Sequence, residues 1–123
     1  MTSFPAGLHY TAEHEWLADG SPSTVGITET AAEALGELVY VELPEVGDDV
    51  TAGAVFGEVE STKSVSELFS PVTGTVVEVN QAAIDDPALV SSDPYGAGWL
   101  LRVDVTSTGP LLTAAEYRAQ VER

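Results

Sequence analysis

Apolar residues in this chain recur in short runs of period two, and Gly, Pro and Asp cut those runs apart at close intervals. That rhythm admits strands of a few residues and leaves little room for helices of ordinary length, so the chain reads as mainly β. The expected strands are Leu8–Tyr10, Glu15–Ala18, Thr24–Ile27, Leu38–Leu43, Ala54–Glu60, Val65–Phe69, Thr75–Val79 and Trp99–Val105. In Ala54–Glu60, alternation predicts Val55, Gly57 and Val59 on one face. Two helices are expected. Thr28–Leu35 is rich in alanine, has Thr30 and Glu33 at capping-box spacing and ends at Gly36; Thr113–Glu122 has Thr113 and Glu116 at the same spacing. Segments 46–53 and 70–74 read as turns, where Gly47, Gly53 and Gly74 supply backbone angles that other residues resist. Residues 80–95 read as mostly loop. Tyr40–Leu43 resembles Val76–Val79, and each is trailed by two aspartates (Asp48 and Asp49, Asp85 and Asp86), as in two related halves of a sandwich.

A chain of 123 residues suits a single domain, 1–123, with one core. Its 44% hydrophobic content argues against disorder despite its acidity. Twenty Asp plus Glu stand against four Lys plus Arg, a net charge of −16. Such a field repels nucleic acid and anionic membrane, makes a monomer the simplest state and steers the protein toward basic partner surfaces. Composition alone does not separate that steering from plain solubility. No apolar stretch approaches the length of a membrane span, and Met1–Gly7 has neither a basic region nor an apolar run, so no signal peptide is expected. The expected location is a cytoplasm of bacterial type. The absence of cysteine excludes disulfides, thiolate nucleophiles and thiolate-bound metals. His14-Glu15 opens a zinc-binding HExxH pattern, but position 18 is Ala, and His9 and His14 are the only histidines. No metal site or catalytic triad is therefore expected. Trp16 and Trp99 are expected in the core or in the wall of a cleft.

Lysine is ordinarily among the commonest residues, yet Lys63 is the only one here; the other cations are Arg102, Arg118 and Arg123. A guanidinium does not deprotonate and is not acylated at neutral pH, so a lone lysine has a use arginine cannot fill. Its setting suits that use. Ser61-Thr62-Lys63-Ser64 is polar and lies between two β-like runs, which predicts a turn whose tip stands clear of the fold. Thr62 and Ser64 are compact and leave the amine approachable, and Glu60 offers a recognition charge to an attaching enzyme. A tethered arm would raise its own effective concentration at each docked site, and a sulfur-bearing cofactor would supply the thiol chemistry this chain lacks.

Gly57-Glu58-Val59-Glu60-Ser61-Thr62-Lys63-Ser64, followed by Ser70 through Asn80, resembles the lipoylation hairpin of the glycine cleavage system H proteins. The resemblance continues in Tyr10 with His14-Glu15-Trp16, in Val25–Thr28, in Gly36–Pro44, in Pro94-Tyr95-Gly96-Ala97-Gly98-Trp99-Leu100, and in Leu111, Leu112 and Tyr117. It departs at Thr62 and Ser64, where many members carry Val and Ala. It implies a lipoyl/biotinyl-type β-sandwich (a barrel-sandwich hybrid) with short N-proximal and C-terminal helices. It also implies a non-catalytic carrier with lipoate in amide linkage to Lys63. The implied partners are the pyridoxal-phosphate glycine decarboxylase (P-protein), the tetrahydrofolate-dependent aminomethyltransferase (T-protein), dihydrolipoyl dehydrogenase (L-protein) and the enzymes that attach the lipoyl or octanoyl group. By family position, a cleft for the loaded arm is expected between the Lys63 hairpin and the His14-Glu15-Trp16 segment, with Glu15 and Glu67 as carboxylate partners for an ammonium. Other readings are a lipoyl-relay protein, a biotin carrier, a lipoyl domain of a 2-oxoacid dehydrogenase and an acidic interaction module with Lys63 unmodified. The biotin carriers usually flank their lysine with methionine, and the 2-oxoacid dehydrogenase domains usually sit in longer chains with linkers.

Overall fold

A computed structural model describes residues 4–122; the first positions of the Met1–Gly7 segment, and Arg123, lie outside the described residues. Nine strands and four helices follow one another: β1 Leu8–Tyr10, β2 Glu15–Ala18, β3 Ser23–Ile27, α1 Glu29–Leu35, β4 Leu38–Glu42, β5 Asp49–Val50, β6 Val55–Ser61, β7 Val65–Phe69, β8 Val72–Val79, α2 Gln81–Asp85, α3 Ala88–Ser92, β9 Leu101–Thr108 and α4 Ala114–Val121. They form a six-stranded sheet in the order β1-β2-β3-β9-β8-β5 and a three-stranded sheet in the order β4-β6-β7. Every pairing is antiparallel. This is the mainly-β sandwich the sequence predicts.

Alternation builds the core. Val25, Ile27, Val72, Val76 and Val103 from the large sheet meet Leu38, Val41, Val59 and Leu68 from the small one in a single buried cluster. A second cluster, Tyr10, Trp16 and Tyr117, holds α4 against the start of the chain. There the Tyr10 and Tyr117 rings stack at 4.8 Å. Strand β2 serves both clusters, with Leu17 in the first and Trp16 in the second, because successive side chains leave a strand on opposite faces.

Several expectations need correction. Helix α1 is capped by Thr28, whose hydroxyl accepts from the Ala31 N–H, and not by Thr30. Thr28 has the extended backbone a cap requires, whereas Thr30 already lies inside the helix. The capping box of α4 at Thr113 and Glu116 forms as predicted. Residues 80–95 contain α2 and α3. Buried Ala83 and Val90 anchor these short helices, and the Asn80 amide donates to the carbonyl oxygens of Ala97 and Trp99 at 2.8 and 2.7 Å. Val55 does not share the buried face of Val59, because the pairing of β6 with β7 shifts register between Val55 and Gly57. Such a shift reverses the alternation beyond it. Gly74 lies within β8, not in a turn; a Cβ there would strike the Asp104 carbonyl oxygen of the neighbouring strand. Gly47 and Gly53 do adopt positive φ, 98° and 83°. The Tyr40–Leu43 and Val76–Val79 echo falls on β4 and β8, in different sheets, but of the aspartates behind them Asp49 opens β5 whereas Asp85 closes α2. Among the described residues, no helix is long and apolar enough to cross a membrane.

Candidate functional site

Strands β6 and β7 form a hairpin, with Glu60 opposite Val65 and the three residues Thr62, Lys63 and Ser64 at its tip. Its turn is organised by Ser61, which is buried. The Ser61 hydroxyl accepts from the Lys63 and Ser64 N–H groups at 3.3 and 3.1 Å and donates to the Ser64 carbonyl at 3.3 Å. The Ser61 N–H donates to that same carbonyl at 2.8 Å. Serine is suited to this because its short side chain can stand in for a backbone partner. Glu60, Thr62, Lys63 and Ser64 are all exposed. The Lys63 side chain passes beside Gly36, the residue that ends α1 at φ 83°; a Cβ at Gly36 would sit 3.4 Å from Lys63 Cε. The ion pairs among the described residues, His9–Asp19 and Glu78–Arg102, do not involve Lys63. The arrangement is an exposed primary amine on a fixed turn with small neighbours, which fits a covalently attached acyl group. Reading the sequence missed Ser61, since a polar residue before a turn carries no signal of the hydrogen bonds it makes in the fold.

A depression of about 200 Å³ opens beside the base of this hairpin, lined by Thr11, Ala12, Glu15, Phe69, Pro71 and Pro110 among others. Phe69 follows Lys63 by six residues, so the two backbones are at most about 20 Å apart. Glu15 is 2% exposed. Its Oε1 accepts from the Thr11 hydroxyl at 2.8 Å and its Oε2 from the Phe69 N–H at 3.4 Å. Burial pushes its carboxyl up to about 7, against the opposing pull of those two hydrogen bonds. An acid in this state gains from a cation brought against it.

The other residues expected in that cleft lie elsewhere. His14, at φ 73°, faces the C-terminal helix, with Nδ1 2.7 Å from the Tyr117 hydroxyl, which is in turn 2.8 Å from Thr28 Oγ1. Trp16 leaves β2 on the opposite face from Glu15. Its indole N–H donates to the Pro94 carbonyl at 3.0 Å, and its ring covers Gly26. Trp16 lines a separate depression with Tyr95 and Trp99, where Arg102 lies 4.2 Å over the Trp99 ring. Glu67 is exposed on the small sheet, opposite Glu58. Of the expected cleft residues, Glu15 alone lines the depression beside β7.

A family model described as glycine cleavage H-protein matches residues 8–123. The glycine cleavage system H protein of Beutenbergia cavernae is 63% identical over 118 residues, 95% of each chain. That of Thermobifida fusca is 60% identical over 122 residues, 98% of this chain and 97% of its own. Among solved structures, a glycine cleavage system H protein from Mycobacterium marinum superposes with a TM-score of 0.92 at 56% identity, covering 97% of this chain and 99% of that one.

Proposed function

The chain belongs to the glycine cleavage H-protein family, and from that premise we propose that Lys63 is the residue through which it works, carrying lipoate in amide linkage. As a family member it is a carrier component of the glycine cleavage system, and the biotin-carrier and 2-oxoacid dehydrogenase readings fall away. One observation carries the proposal: the sole lysine stands exposed on a turn held by Ser61 between two paired strands. Lipoate bound there supplies a redox-active dithiol able to accept and release a one-carbon unit, chemistry that no side chain of this cysteine-free chain offers. The chain's own part is to hold the amine outward, to leave room around it with Thr62 and Ser64, and to offer Glu60 to the attaching enzyme. It catalyses no step alone. Its partners are the decarboxylase, the aminomethyltransferase, the dehydrogenase and the lipoyl- or octanoyl-attaching enzymes.

Glu15 has a second part in this reading. The depression beside β7 shelters the amine-bearing cargo from water, and the Glu15 carboxylate receives its ammonium. The arm reaches it by folding back along β7. Glu67, on the outer face of the small sheet, takes no part in that shelter.

The intact mass of the protein purified from its native host, measured beside Lys63→Arg, tests the attachment. An increment of one lipoyl amide, lost in the variant, is expected; an unmodified chain from a host that makes lipoate overturns the proposal. For the shelter, Glu15→Gln is expected to shorten the lifetime of the loaded carrier, and an unchanged lifetime removes Glu15 from that role.

A further inference from the structure

The small sheet turns Leu38, Val41, Val59 and Leu68 into the core and presents its other face outward. Register orders that outer face into rows. Nearest the Lys63 turn, Tyr40, Glu60 and Val65 lie side by side across β4, β6 and β7; one pleat further on, Glu42, Glu58 and Glu67 do the same. Two features of this face are unusual. Val39, Tyr40, Val55 and Val65, four of the six large hydrophobic residues found exposed among those described, belong to these three strands. Three carboxylates standing directly opposite one another on adjacent strands repel, which destabilises the sheet. Among the described residues, the arginines are engaged elsewhere: Arg102 bonds to Glu78 and Arg118 lies over Phe4.

We propose that this outer face is the docking surface for the enzyme that acylates Lys63. That enzyme sets arginine or lysine side chains against the Glu42–Glu58–Glu67 row and an apolar contact against Tyr40 and Val65. The inference rests on the reading of Lys63 as the attachment point. An enzyme that closes around the Lys63 amine must also cover the strands that carry the turn. The first row it meets joins apolar surface to a carboxylate, and the second is wholly acidic. Exposed apolar side chains gathered on one face mark a contact surface. An acidic row beside them selects a basic partner and speeds its encounter. A second copy of this chain is a poor occupant, since a two-fold contact would set the carboxylate row close to its own image.

The test compares acylation of the purified, unmodified protein by a lipoate–protein ligase supplied with lipoate and ATP, followed by intact mass. Glu42→Gln/Glu58→Gln/Glu67→Gln is set beside Asp85→Asn/Asp86→Asn/Glu122→Gln, which makes the same change in charge on α2 and beyond α4. The first triple is expected to lower kcat/KM about tenfold at low salt, mainly through KM, and to flatten its salt dependence. Its urea midpoint is expected to rise as the like charges disappear, so misfolding cannot account for the loss. The second triple is expected to leave kcat/KM unchanged. An unchanged kcat/KM in the first triple, or an equal fall in both, overturns the proposal. So does a concentration-dependent dimer that Tyr40→Ser and Val65→Ser abolish, which would give the face to a second copy. A wild-type protein that accepts no lipoyl group at all fails earlier, at the attachment itself.

Discussion

At the scale of single residues, Ser61 and Glu15 do more than their side chains suggest. Ser61 ties the Lys63 turn through one hydroxyl that accepts two N–H groups and donates to a carbonyl. Ser61→Ala is expected to cost about 1–2 kcal/mol in urea unfolding and to slow acylation of a lysine that is still exposed. Glu15 makes stability depend on pH. Burial raises its carboxyl from 4.5 to about 7. Between those values the folded chain holds a proton that the unfolded chain has released. The associated stability is therefore complete below the lower value and is lost as pH rises through the upper one. The loss is on the order of 3 kcal/mol. Glu15→Gln lacks this slope, so its urea midpoint relative to the wild type is expected to improve between pH 5 and pH 8; a constant difference would mean that Glu15 is not raised. The exposed turn that carries Lys63 was legible in the sequence because a short polar run lies there between two β-like runs. Ser61 was not, because a polar residue before a turn looks like any other until its hydrogen bonds are seen. The burial of Glu15 was hidden by the ordinary rule that carboxylates face water.

At the scale of elements, legibility followed local chemistry. The β6–β7 hairpin could be read because two apolar runs flank a polar turn, and α4 because Thr113 and Glu116 form a complete capping box. Helices α2 and α3 could not, since each is only five residues long and forms no side-chain cap. Packing holds them: Ala83 and Val90 enter the core, and Ser91 Oγ accepts from the Leu38 N–H at 3.0 Å. The same limit hid the register shifts in β6 and β8, which arise from pairing between strands. Helix α1 lies between these cases. Its cap, Thr28, also meets the Tyr117 hydroxyl at 2.8 Å, so one buried side chain fastens α1 to α4. Thr28→Ala removes both bonds and is expected to cost about 2 kcal/mol, with Thr28→Ser recovering most of it. A loss confined to a few tenths would show that solvent satisfies the helix end without the cap. The opposite end of α1 is Gly36, against which Lys63 lies, so loosening the helix should also shift how the lysine is presented.

At the scale of the whole molecule, a net charge of −16 acts in two directions. It favours encounter with basic partners, and it repels itself, most of all in the compact state. Salt should therefore move stability and association oppositely. Screening shortens from about 10 Å at 0.1 M to about 3 Å at 1 M, so repulsion between surface carboxylates more than about 10 Å apart fades early in a titration. We expect one cooperative melt, because β2 supplies both buried clusters and binds them into a single unit. Its midpoint should rise with sodium chloride by roughly 3–6 °C, corresponding to about 1 kcal/mol for a chain of this length. The shape of the rise distinguishes causes. Screening of charge is largely complete below about 0.3 M, where the screening length is already near 6 Å, whereas exclusion of salt from apolar surface continues to grow into the molar range. A midpoint that climbs early and then levels, while the rate of association with a basic partner enzyme falls over the same range, would tie both effects to the acidic surface. A midpoint that ignores the first 0.3 M and climbs only afterwards would mean that the carboxylates are spaced widely enough not to strain the fold, and that their abundance serves encounter and solubility at no cost to stability.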